Sequence, residues 1–212
     1  MKESFWQSKW EKKEIGFHQE SVNPYIEQYG PEFFKPHETV LVPLCGASID
    51  MVWLANFGLK VIGVEFSEQA AIMFFEDQKL AYTKKTLDSF TVFEGEKISI
   101  LVGDIFNFTQ WKGIKFVYDR ASIVALPEDL RTRYSKLLLD NLDEASIFLI
   151  SFEFDNEEVG PPFSVPRSFL EKHFSHKFKI QEVESHTTEN PAMHGGVLSY
   201  MKDTLFYLKP KN

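Results

Sequence analysis

Cysteine is almost missing: Cys45 is the single one in 212 residues. No internal disulfide can form, and the chain suits a reducing compartment. Positive charge is thin as well. The formal net charge is -8, arginine supplies only four of the 23 basic residues, and no stretch gathers Lys and Arg into a stripe. Nucleic acid and anionic membrane are therefore not expected partners. No apolar run reaches the roughly 20 residues that a membrane-spanning helix needs. The opening MKESFWQSKWEKKE is charged throughout and lacks the apolar core of a signal peptide. No heptad pattern or long apolar edge invites pairing. The expectation is a cytoplasmic monomer with one domain over residues 1–212.

Glycine is scarce where a nucleotide-binding turn would want it. Val40 to Asp50, VLVPLCGASID, reads as a buried strand and a turn opening into a helix, yet it holds one glycine, Gly46, where dinucleotide folds place three. That turn does not suit a pyrophosphate.

Apolar periodicity alternates strands with helices. Strands are expected at 39–44, 60–66, 97–104, 114–120 and 145–154. Helices are expected at 51–58, after Ser67 as N-cap, from Pro127, and at 164–174. The tail, KFKIQEVESH and DTLFYLKP, has the character of an antiparallel pair. The pattern predicts a doubly wound α/β sheet, mostly parallel, with residues 1–35 as an N-terminal appendage. Trp6 and Trp10, four apart, would share one helix face.

In open α/β sheets ligands sit beyond the carboxyl ends of the strands. Three strands end on or next to an acid: Glu65, Asp104 and the Asp119-Arg120 step. Glu65 lies where a carboxylate accepts from ribose hydroxyls, and Asp104 is placed to accept from an adenine amine. Gly46, followed by small Ala47 and Ser48, leaves room for an amino-acid moiety. The set fits a nucleoside without phosphates, S-adenosylmethionine rather than NAD. The plainer readings are that strand-end acids cap helices, that Cys45 is a small buried filler, and that His173 and His176 lack the further ligands zinc would need. No metal is expected.

The blocks FWQSKWEKKEIGFHQESVNPYI, VLVPLCGASIDMVWLA, VIGVEFSEQA, YDRASIVALP and GPPFSVP, in this order, resemble the bacterial type of the thiopurine S-methyltransferase family. The resemblance implies a Rossmann-like, seven-stranded, mostly parallel sheet with an antiparallel C-terminal strand pair and an N-terminal helical lid. It implies a class I enzyme that moves the methyl of S-adenosylmethionine to a thiol and releases S-adenosylhomocysteine. On the cofactor it places Trp6 and Trp10 of the lid, the turn backbone at Leu44 and Gly46, Glu65 on the ribose, and Asp104 with Ile105 at the adenine. Arg120 would lie near both cofactor and acceptor, with a catalytic role through thiolate electrostatics. Phe17 would stack on the substrate. One departure stands out: the family carries an arginine before the last strand that handles the acceptor, whereas TTENPAMHGGVLSYMKD at 187–203 has none, with only His194 and Lys202 as substitutes. Small thiols, selenium or tellurium species and halide therefore stay open as acceptors. A non-catalytic adenosine-binding module is the remaining alternative.

Overall fold

The apolar runs become strands because each is bounded by a turn and flanked by an amphipathic helix. A computed structural model of the chain describes residues 19–156 and 159–211. The expectations for Trp6, Trp10, Phe17 and the helical lid fall outside these residues. Two compact units are present, one ending at Phe116 and the other beginning at Val117.

The first unit holds α1 (Pro24–Phe33), β1 (Thr39–Pro43), α2 (Asp50–Asn56), β2 (Lys60–Glu65), α3 (Glu68–Asp77), β3 (Thr83–Leu87), β4 (Phe90–Glu94) and β5 (Ile98–Val102). Their order is β3-β4-β5-β2-β1. β1 and β5 flank β2 in parallel, with Val42 opposite Gly63 and Gly63 opposite Ile100. β1 is buried from Val40 to Pro43, as its unbroken apolar sequence demands. Pro24 opens α1 behind an Asn23 cap that accepts from the Tyr25 N–H at 3.0 Å. Gly58 takes φ 105° just past α2, the left-handed stop that its sequence position foretells.

Gly63 has no room for a side chain. A Cβ there would lie 2.7 Å from Cys45 Sγ and 3.2 Å from Met51 Sδ. Cys45 is thus the filler expected of it, and burial, followed by the charge of Glu65, pushes its thiol well above the usual pKa. Gly63→Ala is expected to lower stability by about 1–3 kcal/mol through overpacking. Cys45→Ala in the same chain should recover most of that loss in urea unfolding.

β6 (Ile114–Arg120) runs into the second unit, which continues with α4 (Glu128–Asn141), β7 (Ser146–Phe154), α5 (Arg167–Phe174), β8 (Phe178–Glu189) and β9 (Tyr200–Pro210). Here the order is β6-β7-β9-β8. β9 is antiparallel to both β7 and β8. Tyr118, Tyr134, Phe148 and Leu205 lie in its core.

The mostly parallel α/β class and the antiparallel C-terminal pair match the sequence reading, but the expected seven strands are nine among the described residues. β3 and β4 pair as an antiparallel hairpin. β3, TKKTL, is exposed at every position, so no apolar periodicity marks it. It is an edge strand held by backbone bonds, with Lys85 paired to Glu94 and Lys84 to Glu68. The presumed appendage of residues 1–35 includes α1, whose Ile26 and Gly30 are buried. A Cβ on Gly30 would meet the Trp53 ring at 2.4 Å, so helix and ring need this glycine.

Candidate functional site

In the first unit the chain leaves β1 through two left-handed residues, Leu44 (φ 45°) and Gly46 (φ 54°). Glycine adopts this freely; leucine does so at a cost of order 1 kcal/mol, which the surroundings must impose. Glu65 is what imposes it. Its Oε2 accepts the Gly46 N–H at 2.8 Å, and its Oε1 accepts the Ser67 N–H at 2.8 Å. The Glu65 carbonyl accepts from Gly103 N–H at 2.8 Å, at the end of β5. One residue therefore ties together the three turns that follow β1, β2 and β5. Ser67 then caps α3 by accepting from Ala70 N–H at 3.3 Å, as its position predicts.

Asp104 stands half-buried on the third of these turns, where Oδ1 accepts from Phe106 N–H at 2.9 Å and Ile105 is buried beside it. Leu44, Gly46, Glu65, Asp104 and Ile105 thus belong to turns that the Glu65 backbone and side chain join. An anchor that the sequence reading missed is Asp50, 1 % exposed, which accepts the Asn23 backbone N–H at 2.8 Å. It fastens the start of α1 to the start of α2, immediately after the glycine turn.

The residues present fit a nucleoside better than a dinucleotide. An ionised carboxylate has about four acceptor positions, and the Gly46 and Ser67 N–H groups occupy two of those on Glu65. Acceptor capacity remains for a ribose hydroxyl, while nothing in the turn offers the clustered amides a pyrophosphate requires.

Asp119 turns out differently from the other strand-end acids. It is fully buried; Oδ1 accepts from Ser122 N–H (3.2 Å) and Ile123 N–H (3.0 Å), and Oδ2 accepts from Tyr134 Oη–H at 2.7 Å. It pins the turn after β6 and faces no open space. Arg120, next to it, ends the strand half-buried and precedes Ala121, whose φ is 69°.

The segment 160–165 of the second unit is held firmly. Phe163 N–H donates to Val124 O (2.7 Å) and Val165 N–H to Phe152 O (2.6 Å). Arg131, 7 % exposed, donates Nη1–H to Ser164 O at 2.6 Å, with its guanidinium 5.1 Å from the Phe169 ring and 6.0 Å from that of Phe163. The stretch 187–203, read from the sequence as one loop, is strand at both ends. β8 runs to Glu189 and β9 starts at Tyr200, leaving a loop of 190–199. Lys202 lies on β9 with its ammonium 3.1 Å from Glu182. His194 Nε2 donates to Pro162 O at 3.0 Å. Both candidate replacements for a loop arginine are thus engaged with the protein itself.

Burial raises the pKa of Glu65 and of Asp119, and the hydrogen bonds each receives offset this only in part. A carboxyl whose folded pKa is raised holds its proton after the unfolded chain, at about 4, has lost it. Its contribution to stability is therefore full below about pH 4 and is lost as pH rises through the folded value. Glu65→Gln is expected to flatten that part of the profile. Thermal unfolding of both proteins across this range should show the wild type losing ground to Glu65→Gln as pH rises.

Comparison with known proteins places this geometry in context. The chain matches the sequence profile of the thiopurine S-methyltransferase family over residues 1–211. It is 41% identical to a thiopurine S-methyltransferase of Teredinibacter turnerae, over 87% of each chain. It is 36% identical to one of Shewanella baltica over the whole of both. Among solved structures it resembles 1,6-didemethyltoxoflavin-N1-methyltransferase of Burkholderia thailandensis, which was crystallised with S-adenosylhomocysteine. The TM-score is 0.68 at 13% identity, over 99% of this chain and 87% of that one.

Proposed function

The chain belongs to the thiopurine S-methyltransferase family, whose members are S-adenosylmethionine-dependent methyltransferases, and on that premise we propose that it methylates a thiol by in-line displacement. The observation that carries this reading is the Glu65 hub, a buried carboxylate joining three strand-end turns. The bound donor supplies an electrophilic methyl on a sulfonium.

Each residue then has a definite task. Glu65 holds the ribose, and the rigid Leu44–Gly46 backbone leaves space for the amino-acid end. Asp104 accepts from the adenine amine, and buried Ile105 gives the base an apolar face. Trp6 and Trp10 close over the cofactor and exclude water. The anchoring of Asn23 to Asp50 supports this, because it fixes the backbone thirteen residues after Trp10 beside the glycine turn. Aromatic faces attract a sulfonium by roughly 0.5–2 kcal/mol. Phe17 stacks on the acceptor.

Arg120 favours the thiolate by electrostatic attraction, since a nearby cation lowers an acid's pKa. A thiol that is already acidic needs no general base, and a dry chamber strengthens the alignment of sulfur with methyl. Arg120→Ala is expected to lower turnover roughly tenfold, the equivalent of one pKa unit in the thiol. Affinity for S-adenosylhomocysteine should change by less than about twofold; equal losses in both would reassign Arg120 to the cofactor.

A second reading has one observation in its favour. With Lys202 on Glu182 and His194 on Pro162, the 190–199 loop extends no cation of the family's kind, which suits hydrogen sulfide, selenium species or halide as acceptor. Labelled S-adenosylmethionine offered with aromatic thiols, hydrosulfide, a selenol and iodide separates the readings. Transfer to aromatic thiols supports the first, and transfer only to the small nucleophiles supports the second. No transfer to any of them would leave a binding module and refute both.

A further inference from the structure

We infer that Tyr134 and Asp119 are positioning residues that aim Arg120, acting through the strained turn that follows β6; this rests on the acceptor-side role proposed for Arg120. The strain is concrete. Ala121 takes φ 69°, a conformation that favours glycine and costs an alanine of order 1 kcal/mol. It persists because Asp119 receives the N–H groups of Ser122 and Ile123, the two residues just past the bend. Asp119 sits on one side of Arg120 and Ala121 on the other, so the direction of the arginine follows from the geometry between them.

The carboxylate by itself would be free to rotate about its last bond. Tyr134 opposes this from α4, a separate element, by donating to Oδ2 at 2.7 Å and so leaving Oδ1 facing the two amides, while the Ser122 hydroxyl also bonds the carboxylate from within the turn. Both side chains are fully buried. Burial, then the neighbouring carboxylate, pushes the tyrosine hydroxyl well above its usual pKa, so it remains a donor at any ordinary pH. The turn is held from its far side as well, by Phe163 N–H on Val124 O. A pair serving stability alone would not need to be coupled to an alanine in a glycine conformation beside the arginine. Such outliers gather where a side chain must be aimed.

The coupling is testable by a double-mutant cycle between Tyr134→Phe and Arg120→Ala, read as kcat for an aromatic thiol and as Kd for S-adenosylhomocysteine. Tyr134→Phe keeps the ring and removes only the hydroxyl. It should lower kcat about tenfold, leave Kd within about twofold, and speed amide hydrogen exchange at Ser122 and Ile123. In the Arg120→Ala background the same substitution should lower kcat by less than about twofold, because the residue it aims is gone. A tenfold loss persisting in that background shows a structural role and overturns the inference. So does an unchanged kcat, or a fallen kcat with unchanged exchange at the two amides. If Arg120→Ala alone leaves turnover intact, the assignment of Arg120 itself is refuted, and the inference falls with it for that separate reason.

Discussion

Glu65→Ala should abolish measurable cofactor binding, weakening S-adenosylhomocysteine by at least about a hundredfold in calorimetric titration. The carboxylate would lose hydrogen bonds to ribose hydroxyls, and bonds to a charged partner contribute about 1.5–3 kcal/mol each. Two of them exceed the roughly 2.8 kcal/mol that a hundredfold represents. The substitution also orphans the Gly46 and Ser67 N–H groups, both now satisfied at 2.8 Å. Leu44 then has less reason to keep its left-handed conformation, so the turn itself should loosen. Stability should fall by about 2–4 kcal/mol from the two orphaned donors. Glu65→Gln separates the effects: it retains one oxygen for an amide, so it should lose much less stability than affinity. Unchanged affinity in the alanine variant would remove the ribose from position 65 and the carrying observation with it.

The largest loss of stability is expected from Asp119→Ala. The buried donors that would lose their acceptor at once include Tyr134 Oη–H, Ser122 N–H and Ile123 N–H, with the Ser122 hydroxyl beside them. Each orphaned buried donor costs about 1–3 kcal/mol. Against this stands the desolvation cost of the carboxylate, visible in its raised pKa, which the substitution relieves. The net expectation is about 3–5 kcal/mol, or a Tm roughly 10 °C lower for a chain of this size. Adding Tyr134→Phe removes one orphan, so the double variant should be more stable than Asp119→Ala alone. If the two losses simply add in denaturant unfolding, the hydroxyl and the carboxylate do not act as a pair.

These two acids mark where sequence reasoning succeeded and where it stopped. Glu65 and Asp119 both stand at the carboxyl end of an apolar strand, and nothing local tells them apart. Glu65 joins three turns and keeps acceptor capacity; Asp119 spends its oxygens on the turn after its own strand and on α4. The partner that decides Asp119 is Tyr134, fifteen residues away, and a buried tyrosine on a helix face looks like any other core aromatic. Asp50 was invisible for the same reason, since its partner, the Asn23 amide, lies 27 residues earlier.

Buried strands, helix caps and the glycine stop after α2 were legible because each follows from contacts within a few residues. Apolar runs must be buried, Ser67 must satisfy the amide of Ala70, and Gly58 relieves a left-handed backbone. The family motifs were legible because they are contiguous. β3 escaped because an exposed edge strand is stabilised by backbone pairing, which leaves no apolar pattern to read, whereas β4, buried at Phe90, Val92 and Phe93, carried a pattern that was overlooked. The loop before β9 was drawn too wide for a related reason: a polar strand end such as SHTTE resembles loop until a partner strand is seen to pair with it.

The sequence alone determined the α/β class, the positions along the chain of the buried parallel strands and the identity of the acids at their ends, since all of these depend on local periodicity and short motifs. Only the tertiary structure decided which acid joins turns and which pins one, and that Lys202 and His194 are already engaged. Hydrogen bonds between residues distant in the chain have no signature until folding brings donor and acceptor within about 3 Å.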